Sequence, residues 1–430
     1  MNKSIPMPID ISVDVSKEEE LFFSITNNRG YILLANTTFC KISGYSIDEL
    51  KGMPHNVVRH PDMPKIIFHL LWDTIKSGQP FGGYVKNLAS DGKYYWVYAL
   101  VVPVEQNYLS IRILPRTQNI QSLERLYQRL SNIEKNSISE AEKELNHWIL
   151  EKDFINYHAW ASSCLASEID ANIAISTRAF PDRLERLAFR PNTKHDLIAN
   201  QTLNQLFKGF KFMHRNVGDW LRKIDLAIEM LCDFQAILMV LNRELSKKSR
   251  AIMGTTKPIL SDESDEFRLM ENYRSNQKFL FEVLKRSQFH RSSVLLHLSS
   301  MNTFVANFFD YLKAESSVNV PMVIDSIESL KTLTKSMLYF PRSTLKDKEE
   351  ISAQIKNHFE CVERILIHCQ NSEVGIENLN KLVLESKEKG TALLKHYESF
   401  DSKTLAEASN FYQLLISGEL VLEGVTNNAG

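Results

Sequence analysis

Pro54-His55-Asn56-Val57-Val58-Arg59-His60-Pro61-Asp62-Met63-Pro64 is the most informative stretch of this 430-residue chain. It sets Arg, His and Asp among prolines just ahead of an apolar, helix-periodic segment. Pro61 and Pro64 restrain the backbone, so these side chains are held rather than free. Arg and His serve phosphate or carbonyl oxygens, and Asp accepts from a ribose hydroxyl or a ring N–H. By residue chemistry alone, the plainer reading is an exposed turn with a local Arg–Asp pair and a capped helix.

Working outward, Pro64 opens a helix over Lys65–Lys76 with Ile67, Leu70, Leu71 and Ile75 on one side, stopped by Gly78. Upstream, Leu21–Thr26 and Tyr31–Ala35 flank Asn27-Asn28-Arg29-Gly30, whose Asn and Gly tolerate positive φ, so this is a strand–turn–strand unit. Ser46-Ile47-Asp48-Glu49 reads as a helix-opening capping box. Downstream, strands Phe81–Leu88 and Tyr94–Val104 join through Ser90-Asp91-Gly92-Lys93, and Tyr108–Leu114 is the last strand before Pro115. The order predicts an α+β domain over 20–116, a five-stranded antiparallel sheet with short helices, behind an N-terminal extension, 1–19.

After Pro115 the apolar period changes. Leu123, Leu126, Leu130 and Ile133 form a coiled-coil-like seam, and a connecting helix is expected over 117–150. A helical bundle or coiled-coil region is expected over 151–422, with a disordered tail at 423–430. Its helices are read around Val217–Leu231, from about Glu266 to Ala314, over Met322–Leu338, from Lys348 to His396 after a break at Pro341, and over Leu405–Leu422. A narrow apolar stripe wants a partner helix, from a second copy or from the same chain; the expectation is a homodimer.

Composition narrows the function. With 51 basic and 52 acidic residues, a net charge of -1 gives no electrostatic reason to expect nucleic acid. The longest apolar stretch, Leu226–Leu241, is interrupted by Glu229 and Asp233, so no transmembrane segment is expected, and Met1–Asp14 lacks a signal pattern. Five dispersed cysteines suggest reduced thiols and a cytoplasmic setting. No Gly-rich phosphate loop, cyclic-dinucleotide synthase signature or metal-rich phosphodiesterase signature is present, so no enzyme is expected. His358, Cys361 and His368 share a helix face, but ten residues of helix separate the two histidines by ~15 Å, too far for one ion, and core positions are the better reading. Phe207, Phe210, Phe212 and Trp220 read as bundle core. Lys208, Lys211, Arg215, Arg222 and Lys223 make a local basic face, solvated or facing an acidic partner.

The Pro54–Pro64 stretch resembles the signature of the flavin-binding PAS domains of bacterial aerotaxis receptors. Tyr31–Asn36, Phe39, Ser43-Gly44-Tyr45, Glu49-Leu50, Gly52, Leu71-Trp72, Gly78-Gln79-Pro80, Val85-Lys86-Asn87, Gly92, Tyr95-Trp96-Val97 and Ser110-Ile111-Arg112 extend the match over about residues 20–115. The resemblance implies noncovalent FAD, with Arg59, His60 and Asp62 holding it, Trp72 packed against it and Asn36 reaching the polar end of the pocket. It also implies redox sensing, in which a neighbour such as Asn36 or Asn87 reorganises and the helix beginning near Gln118 reports the change. The chain departs from the family at Phe81, which replaces a Trp, at Leu88-Ala89-Ser90, which replaces a basic run, and at Glu105-Gln106-Asn107, a shortened hairpin. No counterpart of the family's membrane anchor is expected within these residues. A faint trace of its methyl-accepting signalling hairpin survives in the spacing of Asn302, Asn307, Glu328, Lys331 and Ser336, but Ser317–Met322 replaces its tip.

Three readings follow: a cytoplasmic flavin-based redox or oxygen-linked sensor acting through an unidentified protein partner; a cofactor-free PAS interaction or scaffold protein; and a degenerate soluble chemoreceptor-like protein of an aerotaxis pathway.

Overall fold

The computed structural model describes residues 21–117, 119–172, 197–255, 265–314, 320–370 and 376–427, with Pro8, Ser12, Val13, Ile175 and Ala179 besides. Most of the N-terminal extension, residues 317–319 of the Ser317–Met322 segment and the last three residues lie outside the described residues. Five antiparallel strands stand in the order β2-β1-β5-β4-β3. They are β1 (Leu21–Asn27), β2 (Ile32–Ala35), β3 (Phe81–Leu88), β4 (Tyr94–Val104) and β5 (Asn107–Ile113).

Three helices, α1 (Thr37–Ser43), α2 (Ile47–Leu50) and α3 (Lys65–Lys76), stand between β2 and β3 with a 3-10 turn at His55–Val58. Local sequence dictates their ends. Asn36 caps α1, with Oδ1 accepting from Phe39 N–H at 3.2 Å. Ser46 and Glu49 form the expected reciprocal box on α2. Pro64 opens α3 without a side-chain cap, and Gly78 follows it at φ +82°. Strand alternation then sorts the sheet into two faces. Phe22 points toward the helices and stacks on Phe39 at 5.7 Å, within a core that includes Ile42, Leu50 and Ile67.

The opposite face is covered by later helices. In place of one connecting helix over 117–150 there are two, α4 (Asn119–Ile133) and α5 (Ile138–Glu151), divided where Ser137 caps the second by accepting from Glu140 N–H at 3.2 Å. The seam residues Leu123, Leu126 and Leu130 are buried within this chain. Tyr127 between them packs on Trp96 of the sheet and donates to Tyr84 O at 2.9 Å. The stripe therefore has an intramolecular partner, and the observation behind the homodimer and coiled-coil expectations is accounted for without a second chain. Helix α6 (Tyr157–Ala171) lies on the same face, where Tyr98 donates to Ala161 O at 2.7 Å.

The remaining helices are α7 (Leu197–Thr255), α8 (Asp265–Ala314), α9 (Val320–Met337), α10 (Tyr339–Gln370), α11 (Ile376–Glu398) and α12 (Lys403–Asn427). The expected break falls at Leu338, and helix resumes at Tyr339 and not at Lys348: Pro341 lies in the first turn of α10, where its missing N–H has no intrahelical partner to lose. Helix also continues to Asn427, beyond the expected limit at 422.

The chain divides into two compact units. One comprises Met1–His214, Ser292–Tyr339 and Glu407–Gly430, and so contains the sheet domain, α4–α6 and α9. The other, Arg215–Arg291 with Phe340–Ala406, is helical, with Leu241, Tyr273, Val362, Leu379 and Val383 in its core. His358 is buried there against Phe234 and Tyr273, a core position as expected; the side chain of His368 lies outside the described ones. Phe207, Phe210 and Trp220 are buried, whereas Phe212 is 49% exposed and so is not core. Among the described residues no helix is long and apolar enough to cross a membrane, and no cluster of His, Cys, Asp and Glu is placed to hold a metal.

Candidate functional site

A partly open cavity of about 250 Å³ lies between the inner face of the sheet and α3. Its size is near the ~300 Å³ lower end of ordinary ligand sites. Helix α3 supplies Phe68, Leu71, Trp72 and Ile75; β3 supplies Val85 and Asn87; β4 supplies Ala99 and Val101; β5 supplies Tyr108, Ser110 and Arg112. Thr26, the turn Arg29-Gly30 and the motif residues Pro54, His55, Asn56 and Arg59 complete it. The motif is laid against β3 by an antiparallel bridge between Arg59 and Asn87 and by His60 N–H donating to Lys86 O at 3.3 Å.

The five residues singled out from the sequence divide. Arg59 and Trp72 line the cavity. Arg59 donates from Nη2 to Met63 O at 3.0 Å and stands 4.0 Å over the Phe68 ring. Burial lowers its pKa, partly offset by the nearby Glu134 carboxylate. Trp72 meets Tyr108 edge-on at 5.7 Å.

Asn36, His60 and Asp62 are not among the lining residues. Besides capping α1, Asn36 Oδ1 accepts from Phe23 N–H at 3.1 Å, which ties helix to strand. His60 is buried against Tyr94, and its Nδ1 accepts from Asp62 N–H at 3.1 Å. Asp62 is exposed and accepts from Lys86 Nζ at 2.9 Å. Strand alternation explains that pairing, because Lys86 points to the opposite face from Val85 and Asn87. Phe81 does not wall the cavity either: it stacks on Tyr157 of α6 at 5.8 Å.

Arg112, His55 and Ser110, to which the sequence reading gave no role, make the polar floor together with Asn87, which it named as a neighbour of the cofactor. Arg112 is buried, donates from Nη2 to His55 Nε2 at 2.6 Å and from Nη1 to Ser24 Oγ at 3.0 Å. Burial brings its pKa down to about 10. Burial and then the Arg112 charge hold His55 well below the ordinary histidine range, so it is the neutral acceptor this geometry requires. Ser110 Oγ is buried beside this pair with no hydrogen-bond partner, and the buried Asn87 amide faces Tyr95, its neighbour on β4. Three arginines and no carboxylate line the cavity. The signal was present in β5, where polar Tyr108, Ser110 and Arg112 alternate with apolar Leu109, Ile111 and Ile113.

An antiparallel five-stranded sheet with a ligand-sized cavity under its intervening helices defines the PAS class, and residues 32–113 match the PAS fold family. Over 119 residues the chain is 43% identical to the Aerotaxis receptor of Escherichia coli (strain K12), covering 26% of this chain and 24% of that one. Over 88 residues it is 31% identical to the Nitrogen fixation regulatory protein of Klebsiella pneumoniae, covering 20% of this chain and 18% of that protein. A solved PAS domain from Colwellia psychrerythraea is similar at 22% identity over 22% of this chain and 85% of that one, with a TM-score of 0.19. The N-terminal segment is thus a PAS domain, as its resemblance implied, and the chain spans a quarter or less of the length of these two curated relatives.

Proposed function

We propose that this chain is a cytoplasmic signal-transduction sensor whose PAS cavity takes FAD noncovalently, and that it reports redox state or oxygen-linked energy status, as in aerotaxis, through protein contacts rather than catalysis. The observation that carries the reading is the buried polar floor, the orphaned Ser110 Oγ and the Asn87 amide beside a buried guanidinium in an acid-free cavity. Buried polar groups ordinarily find partners. An acceptor-rich ring edge would supply them here, and Phe68, Leu71, Trp72 and Val101 offer the apolar surface a flat ring needs.

A bound flavin supplies reversible electron uptake. This chain's residues would hold the ring edge through Asn87 and Ser110, place positive charge beneath it through Arg112, and wall it with Trp72. Arg59, held on Met63 O and over the Phe68 ring, and Arg29 in the β1–β2 turn are the further cations of the lining suited to phosphate. The cytoplasmic part of the proposal rests on the dispersed cysteines. No dimer is part of it, because the seam that suggested one is filled from within.

The visible absorption spectrum of the purified full chain tests it. Flavin bands are expected, weakened strongly by Trp72→Ala and less by Asp62→Ala. A protein still colourless after incubation with FAD would overturn the proposal and leave the PAS domain as a cofactor-free assembly module.

A further inference from the structure

Helix α3, which carries much of the cavity wall, has no cap of its own. Its N-cap residue is Pro64, which offers no side-chain acceptor, and its first N–H groups have no intrahelical carbonyl to bond. The cap comes from 69 residues away. Glu134, immediately after α4, accepts from Lys65 N–H at 2.9 Å through Oε1 and from Ile66 N–H at 3.2 Å through Oε2. A carboxylate at a helix N-terminus also meets the positive end of the helix dipole.

Two further bonds run along the same side of α4. Ser131 Oγ donates to Asp62 O at 3.2 Å. Glu124 accepts from Lys86 Nζ at 3.3 Å, and the same ammonium holds Asp62. The neighbours of Lys86 on β3, Val85 and Asn87, line the cavity. Helix α4 therefore grips α3, the motif loop and β3, and it does so from outside residues 32–113, the span of the PAS match.

We propose that Glu134 is a positioning residue of the cavity: by capping α3 from α4 it fixes where α3 stands and carries any displacement of α3 into α4. Asp62 and Lys86 then belong to this strap and not to the ligand's contact surface. The ligand-dependent half of the proposal rests on the function proposed above; the ligand-free half does not.

Residue-resolved amide exchange on the full chain tests both halves. Without ligand, Lys65 and Ile66 should be protected in the native protein and exchange at least ten-fold faster in Glu134→Ala. Glu134→Gln keeps an acceptor oxygen and should restore most of the protection, and Glu142→Ala, at an exposed position of α5, should change nothing. Unchanged exchange at Lys65 and Ile66 in Glu134→Ala, or acceleration no greater than that of the sheet amides of Leu109 and Ile111, overturns the proposal. With FAD added, exchange should slow in both α3 and α4 of the native protein, but in α3 alone in Glu134→Ala. Slowing of α4 in both proteins alike overturns the coupling. If FAD slows exchange nowhere, the cofactor reading fails, and the ligand-free arm still decides the role of Glu134.

Discussion

Arg112 Nη2 lies 2.6 Å from His55 Nε2 in the floor of the cavity, a buried cation facing a neutral ring with no carboxylate lining the space around it. Two groups that would repel if both were charged are held together by the protonation state that burial imposes on the histidine.

Arg112→Met should therefore act in two directions. The Arg112 charge is the second cause of the depressed His55 pKa, so removing it should raise that pKa, though burial, the larger cause, keeps it below the ordinary value of 6.5. An NMR titration of the His55 ring reads this. Loss of a charged donor from the floor should also weaken FAD binding by about ten- to hundred-fold, the equivalent of ~1.5–3 kcal/mol. Binding of native strength would mean that the floor charge does not face the ligand.

Gly30 separates backbone strain from the shape of the cavity. It sits at φ +80°, and a Cβ there would stand 3.0 Å from the Trp72 ring. Gly52 has φ +78° with nothing within 4 Å of its Cβ. Each Gly→Ala change should cost about 1–2 kcal/mol of backbone strain in urea unfolding. Gly30→Ala should in addition weaken FAD binding by pushing Trp72 toward the cavity, and Gly52→Ala should not. Equal binding by the two variants would show that Trp72 gives way freely.

These positions also show what the sequence could and could not convey. Strand spans, the capping box and the Lys65–Lys76 helix rest on local rules, period and turn chemistry, and the structure reproduces them nearly residue for residue. The helix period brought Leu71 and Ile75 to the cavity, whereas Trp72 and Arg59 were legible only through the family resemblance. Asp62 and His60 stand next to Arg59 in sequence, yet the turn at Pro61 sends them to Lys86 and Tyr94, away from the cavity. The seam on α4 shows the same limit at larger scale. Leu123, Leu126 and Leu130 declare an apolar stripe, but only tertiary packing decides that the rest of this chain buries it instead of a second copy. Glu134 had no local signal at all, because its partners lie 69 and 68 residues away.

Glu168 of α6 makes a comparable long-range closure. This buried carboxylate accepts from Tyr84 Oη at 2.7 Å, Arg116 N–H at 2.6 Å and Thr117 N–H at 3.2 Å, joining α6 to β3 and to the segment leaving the sheet. Gln at this position would offer one acceptor oxygen and turn an NH₂ toward donors. Glu168→Gln should cost about 3 kcal/mol, and Glu168→Ala no less, since buried donors would be left without partners. Loss of protection at the Arg116 and Thr117 amides would locate the damage. A change under ~1 kcal/mol would mean that water replaces the carboxylate at little cost.

His358 offers the cleanest pH test, because it lies in the helical unit away from any ligand question. The ring is fully buried, neither nitrogen has a hydrogen-bond partner, and Phe234 and Tyr273 pack against it. Burial brings its pKa down to about 4 from the ordinary 6.5. At pH 7 it is neutral whether folded or unfolded, so titration contributes nothing. As pH falls below 6.5 the unfolded chain binds the proton first, and stability drops by about 1.4 kcal/mol per pH unit until the folded pKa is reached. By pH 5 the loss should be roughly 2 kcal/mol. His358→Leu removes this titration and two unsatisfied ring nitrogens together. The variant should be at least as stable as the native chain at pH 7, with an advantage about 2 kcal/mol larger at pH 5. Exchange of the core amides of Tyr273 and Val362, corrected for its intrinsic pH dependence, measures that widening. An advantage that stays constant between the two pH values would mean that the folded ring accepts its proton near 6.5, by opening to water.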